Sequence, residues 1–350
     1  MEINAKMLEL GKRVYNNKML ETKDQEGKIV LSDDGAIKAL CEKVFTKNGE
    51  VRSMEELRSF NRLIVEVAEE EAKANFKQVM DLISQYETVG RYDQRSYEIP
   101  SKQKVSMRLS ATGTGVDFVK IPSKQKRIPA RPEQHQFGCQ YSIERMINDP
   151  VNAFRDAVDL IVEEKVKYIF KQVMKLVRLA ASSGKIPAGQ CHATANITLT
   201  DFRKIESKLL RYARNVRPVL IADRLFIDDI ALKQGVTLEN GISFLTDAMR
   251  ETLLRDINID VVSKTVCIAT DNPFVDDANS KVELPVDEAI IVAGGSKAPF
   301  RITEFGAMRT AQDMPSIENE TTYFKVDLKI SIELLLGQAL GYIKDTQIKL

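Results

Sequence analysis

The chain has 350 residues, 43% of them apolar, with 51 Lys+Arg against 50 Asp+Glu. That length and apolar content suit a folded chain with a sizeable core and exclude a disordered one. A net charge of +1 argues against a dedicated nucleic-acid binder.

Four cysteines, Cys41, Cys139, Cys191 and Cys267, lack C-x-x-C spacing, which points to reduced thiols in a cytoplasm-like compartment. The first residues lack the apolar core of a signal peptide, and no run approaches 18 apolar residues, so neither export nor membrane insertion is expected.

Residues 1–20 read as a short helix, followed by a loop that holds Gly27 and Asp33-Asp34-Gly35, and a second helix is expected over 36–46. Ser53 then caps a long helical pattern reaching about Tyr86. Glu55 and Glu56 lie in its first turn, and Leu57, Phe60, Ile64, Val67, Phe76, Val79, Met80 and Ile83 fall at helical spacing. Its charged middle, Glu66 to Lys73, permits a break. Uninterrupted, it would measure about 50 Å, long for a compact body, so the segment reads as an arm.

The most informative stretch runs from Tyr97 to Arg131. The string Ile-Pro-Ser-Lys-Gln-Lys occurs at Ile99–Lys104 and again at Ile121–Lys126, on either side of Thr112-Gly113-Thr114-Gly115. This suggests the two arms of one hairpin. On the first arm Val105, Met107, Leu109 and Ala111 alternate with Ser106, Arg108 and Ser110, so one face is apolar. An arm of about 15 extended residues reaches about 50 Å. Because an isolated two-stranded hairpin is marginal in water, its apolar face needs another surface, and a second protein molecule is the expected one. Lys102, Lys104, Val105, Met107, Leu109, Val116, Phe118, Lys124 and Lys126 are the candidate contact residues.

After the hairpin, Ser142 to Ile147 reads as a short helical turn, and Asp149-Pro150 as the cap and first residue of a helix from Val151 to Ala181. Phe154, Val158, Ile161, Val166, Ile169, Phe170, Val173, Val177 and Ala180 trace one face of it. From Ala188 the pattern turns to alternating helices and strands. Thr200 is read as the cap of a helix, Pro218–Ala222 as a buried strand, Leu225–Lys233 and Ile242–Leu254 as helices, and Val261-Val262, Val266–Ala269 and Glu288–Ala293 as strands. Thr321–Glu333 is the cleanest half-buried strand in the chain.

Charge is unevenly placed. Tyr97 to Pro132 carries eight basic and two acidic residues, whereas Asp223 to Glu288 carries fourteen acidic and six basic ones. Such stretches attract one another, including between copies of one chain.

No catalytic or metal-ligand pattern emerges, and no cofactor is expected. His135 and His192 have no partner at metal-ligand spacing. Cys191-His192 is adjacent, which suits packing better than one nucleophilic site. Gly294-Gly295-Ser296-Lys297 departs from the Walker pattern and reads as a turn. The pairs Asp228-Asp229 and Asp276-Asp277 read as solvated acidic loops.

The order of helical arm, basic hairpin, short turn, long helix, α/β body and final alternating strand resembles the major capsid proteins of tailed bacteriophages, the Hong Kong 97 fold. Val116–Pro122, Gln136–Ser142, Glu288–Ala293 and Thr322–Leu336 also resemble stretches of that family. The resemblance covers about residues 90 to 345. It implies an α+β chain with an N-terminal helical arm (1–95), an extended hairpin loop (96–136), a peripheral domain with a spine helix (137–188 and 316–350) and a mixed α/β axial domain (189–315). It also implies a non-enzymatic shell subunit of a virion, assembled in the host cytoplasm. Its partners would be its own copies in hexamers and pentamers, scaffold and portal proteins, and packaged double-stranded DNA held by nonspecific contacts, without a membrane. Some relatives join subunits through Lys-to-Asn bonds; the hairpin lysines and Asn319 supply the residue types, but no motif fixes a pairing. The alternatives are an encapsulin-like nanocompartment and a cytosolic α/β enzyme whose site is unrecognised.

Overall fold

The structure, a computed structural model, describes residues 5–23, 29–99, 126–236, 261–270, 272–295, 298–316 and 321–350. In chain order the first elements are α1 (Ala5–Tyr15), β1 (Glu21–Lys23), β2 (Ile29–Ser32), α2 (Asp33–Val44), α3 (Met54–Ile83), β3 (Ser84–Val89) and β4 (Ser96–Ile99). Next come β5 (Lys126–Pro129), β6 (Glu133–Ser142), α4 (Ile143–Asn148), α5 (Pro150–Ser182), β7 (Cys191–Thr194), α6 (Leu199–Tyr212), β8 (Val219–Ala222) and α7 (Arg224–Val236). The later strands are β9 (Val261–Val262), β10 (Thr265–Ala269), β11 (Glu288–Val292), β12 (Phe300–Phe305), β13 (Arg309–Ser316), β14 (Thr321–Leu334) and, after a 3-10 turn at Gly337–Ala339, β15 (Leu340–Asp345).

The 33 residues of α5 give a rod of about 50 Å that touches both large sheets. Its buried stripe, Phe154, Val158, Ile161, Ile169, Val173, Val177 and Ala180, follows the predicted face. Asp149 does not cap it through its side chain; that carboxylate instead accepts from Asn152 Nδ2 at 2.8 Å.

α3 lies along α5, with Leu57, Phe60, Leu63, Ile64, Val67 and Ala68 buried and the Phe60 and Phe154 rings edge to face at 6.1 Å. The structure thus differs from the sequence expectation at three points. The helix is continuous through Glu66 to Lys73, because Arg62–Glu66 (2.8 Å) and Glu69–Lys73 (2.5 Å) pair one turn apart. It stops at Ile83, because Ser84–Val89 pairs in parallel with β12. The first half of its apolar stripe, Leu57 to Ala72, is spent inside the subunit. α1 crosses the pair at Gly11, where a Cβ would come within 2.6 Å of Val67 Cγ2.

Two helix starts also shift. Ser32 Oγ accepts from Gly35 N at 3.0 Å, so Asp33-Asp34-Gly35 is the first turn of α2 and not a loop. Thr198, not Thr200, caps α6: its hydroxyl accepts from Asp201 N at 3.1 Å and donates to Asp201 Oδ2 at 2.7 Å. The helix read at Ile242–Leu254 lies outside the described residues.

One sheet runs β7-β15-β11-β8-β10-β9. Its central strands β8, β11 and β15 are buried on both faces. Ile221, Ile290, Val292 and Tyr342 join the core that contains α3 and α5, whereas Leu220, Ala289, Ile291 and Ile343 join the core under α6 and α7. The second sheet is built on the 14-residue β14, which pairs with β6 on one side and with β13 and then β12 on the other; β3 lies beyond β12. Val326, Leu328 and Ile330 of β14 are buried.

Candidate assembly interface

The stretch that the sequence singles out is rooted in the second sheet. β4 and β5 pair antiparallel, with Ser96 opposite Pro129, Tyr97 opposite Ile128, Glu98 opposite Arg127 and Ile99 opposite Lys126. Glu98 and Arg127 form an ion pair at 3.0 Å on the exposed side. Of the candidate contact residues only Lys126 falls on this ladder. Lys102, Lys104, Val105, Met107, Leu109, Val116, Phe118 and Lys124 lie outside the described residues, as does Asn319.

Tyr97 is the anchor of the root. Its ring is buried, its hydroxyl bonds the hydroxyl of Thr303 on β12, and the Arg301 guanidinium sits 5.5 Å from its centroid. Arg301 is held in turn by Glu87 and Gln85 of β3. Burial pushes the Tyr97 phenol up, against the Thr303 bond, which lowers it. The returning strand is tied by Ala130 N to Arg95 O at 2.8 Å and by Arg131 N to Ser331 Oγ at 3.1 Å. The root is therefore tied to both β12 and β14.

Beside the root, the Arg91 guanidinium pairs with Asp327 of β14, which also accepts from Gln134 Nε2 at 2.7 Å. Lys329 donates to Arg91 O at 3.1 Å, and its ammonium lies 5.5 Å from the Tyr92 ring centroid and 5.8 Å from that of Phe305.

Beneath the sheet, Glu304 of β12 accepts from Lys165 Nζ of α5 at 2.8 Å, with both side chains buried. Tyr86 donates to its other oxygen. Lys73, 3.8 Å away, links Glu304 to Glu69, which accepts from Met308 N at 3.0 Å. Two ammoniums and two carboxylates thus balance one another where α3, α5, β3 and β12 meet. Sequence reading missed Lys165, Arg301, Thr303 and Glu304, although Phe300, Ile302 and Phe305 carry a partial alternation that marks a strand.

The other candidate chemistry resolves into structural roles. His135 Nε2 shares a 2.5 Å hydrogen bond with Tyr168 OH, and His192 bonds Thr194. Burial pushes the Cys191 thiol up, which disfavours the thiolate. Asp276 accepts from Ser280 N at 2.9 Å and Lys281 N at 2.8 Å, closing a turn. Asp229 pairs with Lys233 at 2.6 Å. Gly294 begins a turn after β11, where a Cβ would overlap Arg217 O at 1.9 Å. Among the described residues no group of three or more His, Cys, Asp or Glu could hold a metal ion, and no helix is long and apolar enough to cross a membrane.

A family model described as "SPbeta prophage-derived putative capsid protein YonB" matches residues 6–344. A protein of Bacillus subtilis (strain 168), the SPbeta prophage-derived YonB, is 35% identical over 346 residues, covering 97% of each chain. Among solved structures the chain is similar to one from Microbacterium phage Oxtober96, with TM-score 0.49, 10% identity, and 74% of this chain and 89% of that one covered. It is similar also to the asymmetric unit of the bacteriophage PhiM1 mature capsid, with TM-score 0.43, 10% identity, and 76% and 86% covered. A virus-like particle from Pyrococcus furiosus aligns with TM-score 0.39 and 13% identity, over 80% of this chain and 98% of that one. With the family model spanning nearly its whole length and a relative above 30% identity, the chain belongs to this family of prophage-derived capsid proteins.

Proposed function

We propose that this chain is the major capsid protein of a tailed phage or prophage, self-assembling into an icosahedral head around double-stranded DNA. Membership of the capsid family carries the reading. The antiparallel root of the basic stretch, anchored by Tyr97, supports a reaching hairpin as the main contact between copies. In this reading residues 96–136 form the extended loop, 137–188 and 316–350 the peripheral domain around α5, 189–315 the axial domain, and 1–95 an N-terminal segment.

Assembly works by repeated weak burial. The hairpin row Val105, Met107, Leu109, Val116 and Phe118 lies on a neighbour, Lys102, Lys104, Lys124 and Lys126 find its acidic surface, and closed symmetry multiplies each contact across hexamers and pentamers. DNA is held by confinement and by salt-dependent nonspecific contacts. Scaffold and portal proteins are the further partners, assembly takes place in the host cytoplasm, and the role is structural and non-enzymatic.

Expressing the full chain, alone and with the scaffold protein of its prophage, and imaging it by negative-stain electron microscopy tests this. Closed shells are expected. Uniform small oligomers at every concentration and salt, with scaffold present, would overturn it.

A further inference from the structure

The ten-residue strand β6 pairs with β14 along one edge, in unshifted register from Ser142 to Glu133. Among the described residues no strand pairs with its other edge, so alternate N–H and C=O groups from Glu133 to Gln140 point away from the sheet. Cys139 is buried and His135 and Phe137 are half-buried, whereas Gln134, Gln136, Gly138 and Gln140 are exposed. Long exposed edges are normally blunted by charge, proline or a bulge. This exposed row carries three amides and a glycine, and the strand has no bulge.

Gly138 is an independent sign. Its φ is not positive, and a Cβ there would meet nothing within 4 Å. Glycine within a strand weakens it and marks a bulge, a bend or a close approach of another backbone; nothing among the described residues makes that approach.

We propose that the free edge of β6 pairs antiparallel with the same edge of a second copy across a two-fold axis of the shell. This rests on the capsid reading above. An icosahedral shell of one chain has two-fold axes, and a contact on such an axis must be self-complementary; an unprotected antiparallel strand with an uncharged exposed row is such a surface. Residues on the same face must oppose one another, and the close approach that Gly138 permits places that residue on the axis. Gln136 then faces Gln140 of the other copy, and the two facing glycines leave room for the amides. The Lys-rich hairpin is a poorer occupant, because Glu133 is the only acidic residue of β6.

Three variants of the full chain test this, each followed by thermal melting and by electron microscopy of particles. Q136K/Q140K melts like the wild type and loses at least tenfold in shell yield, because four lysines meet across the axis. Q136K/Q140E assembles at wild-type yield, because each Lys now meets a Glu. G138V melts at or above the wild-type temperature and also assembles poorly. Wild-type shell yield from Q136K/Q140K overturns the contact. Failure of Q136K/Q140E alongside it assigns the edge to another segment and overturns the two-fold pairing. If the wild type itself forms no shells with the scaffold protein present, the capsid reading falls and this contact with it.

Discussion

Lys165 and Glu304 meet at 2.8 Å inside the subunit, with side chains 3% and 0% exposed. Lys165 comes from the rod α5 and Glu304 from the strand that anchors Tyr97 through Thr303, so the pair couples the hairpin root to the long helix. Burying two charges is costly, and the bond from Tyr86 to the carboxylate and the charge of Lys73 at 3.8 Å offset that cost.

Removing one partner strands the other. Lys165→Met is expected to lower unfolding free energy by about 3–5 kcal/mol, and Lys165→Met with Glu304→Leu to recover part of that loss. Denaturant unfolding of the two single variants and the double variant checks it; additive losses would show that the pair is not coupled.

Asp345 ends β15 fully buried and accepts from Asn196 N (2.7 Å), Ile197 N (2.8 Å) and Gln347 N (3.0 Å), with Lys233 3.3 Å away. Burial pushes its carboxyl up, but the bonds from Gln347, Ile197, Asn196 and Lys233 outweigh this and hold it below the usual range. Its contribution to stability is therefore complete above the unfolded value of about 3.9 and is lost as pH falls through the lower folded value. Asp345→Asn is expected to cost about 1–3 kcal/mol at pH 7 and to flatten the loss of stability below about pH 4. Urea titrations at pH 7 and below pH 4 measure both effects.

Much of this architecture is legible in the residues, because α5, α3 and β14 carry long unbroken periods of 3.6 or 2. The failures have a common cause. Ser84–Val89 extends a helical pattern smoothly, and only its parallel partner β12, more than 200 residues away, makes it a strand. β12 and β15 escaped notice because short strands buried between neighbours lose the polar alternation that would mark them. The same limit hid Glu304 and Lys165: a charged residue within an apolar pattern reads as a surface position until its partner is known. The antiparallel pairing at the two ends of the basic stretch was legible from its repeat, whereas the anchor Tyr97 depends on Thr303 and Arg301, which the sequence does not link to it.

Gly11 lets α1 approach α3. Alanine there gains about 1 kcal/mol of helix propensity, yet its Cβ would lie 2.6 Å from Val67 Cγ2 and 3.4 Å from the Phe154 ring. Val67 is β-branched and cannot turn aside cheaply, so overpacking of about 1–3 kcal/mol should win. Gly11→Ala is expected to lower the melting temperature, and Gly11→Ala with Val67→Ala to restore part of it. Equal losses in both variants would remove Val67 as the cause.

Tyr97 separates folding from positioning. Tyr97→Phe removes only the bond to Thr303, whereas Tyr97→Ala also removes the ring under Arg301, an interaction of about 0.5–1 kcal/mol beyond the lost burial. Tyr97→Ala is expected to speed tryptic cleavage between Lys102 and Lys126 severalfold and to lower shell yield, with Tyr97→Phe intermediate. Unchanged cleavage in Tyr97→Ala would show that the root is held by its backbone ladder alone.

The hairpin lysines carry the sharpest charge contrast in the chain, eight basic residues against two between Tyr97 and Pro132 and an acidic stretch from Asp223 to Glu288. Replacing Lys102, Lys104, Lys124 and Lys126 by Glu reverses the first, and both cores of the described residues are complete without them, so the subunit should melt within a few degrees of the wild type. Its shell yield should fall at least tenfold, because like charge between copies costs several kcal/mol. If the effect is electrostatic, added salt should narrow the gap, since exposed charges are screened beyond about 8 Å at 0.15 M and about 3 Å at 1 M. The decisive comparison is therefore yield against ionic strength for the two proteins. A gap that stays constant from low to high salt would assign the loss to altered packing of the hairpin, and shells at wild-type yield in low salt would remove the lysines from the interface.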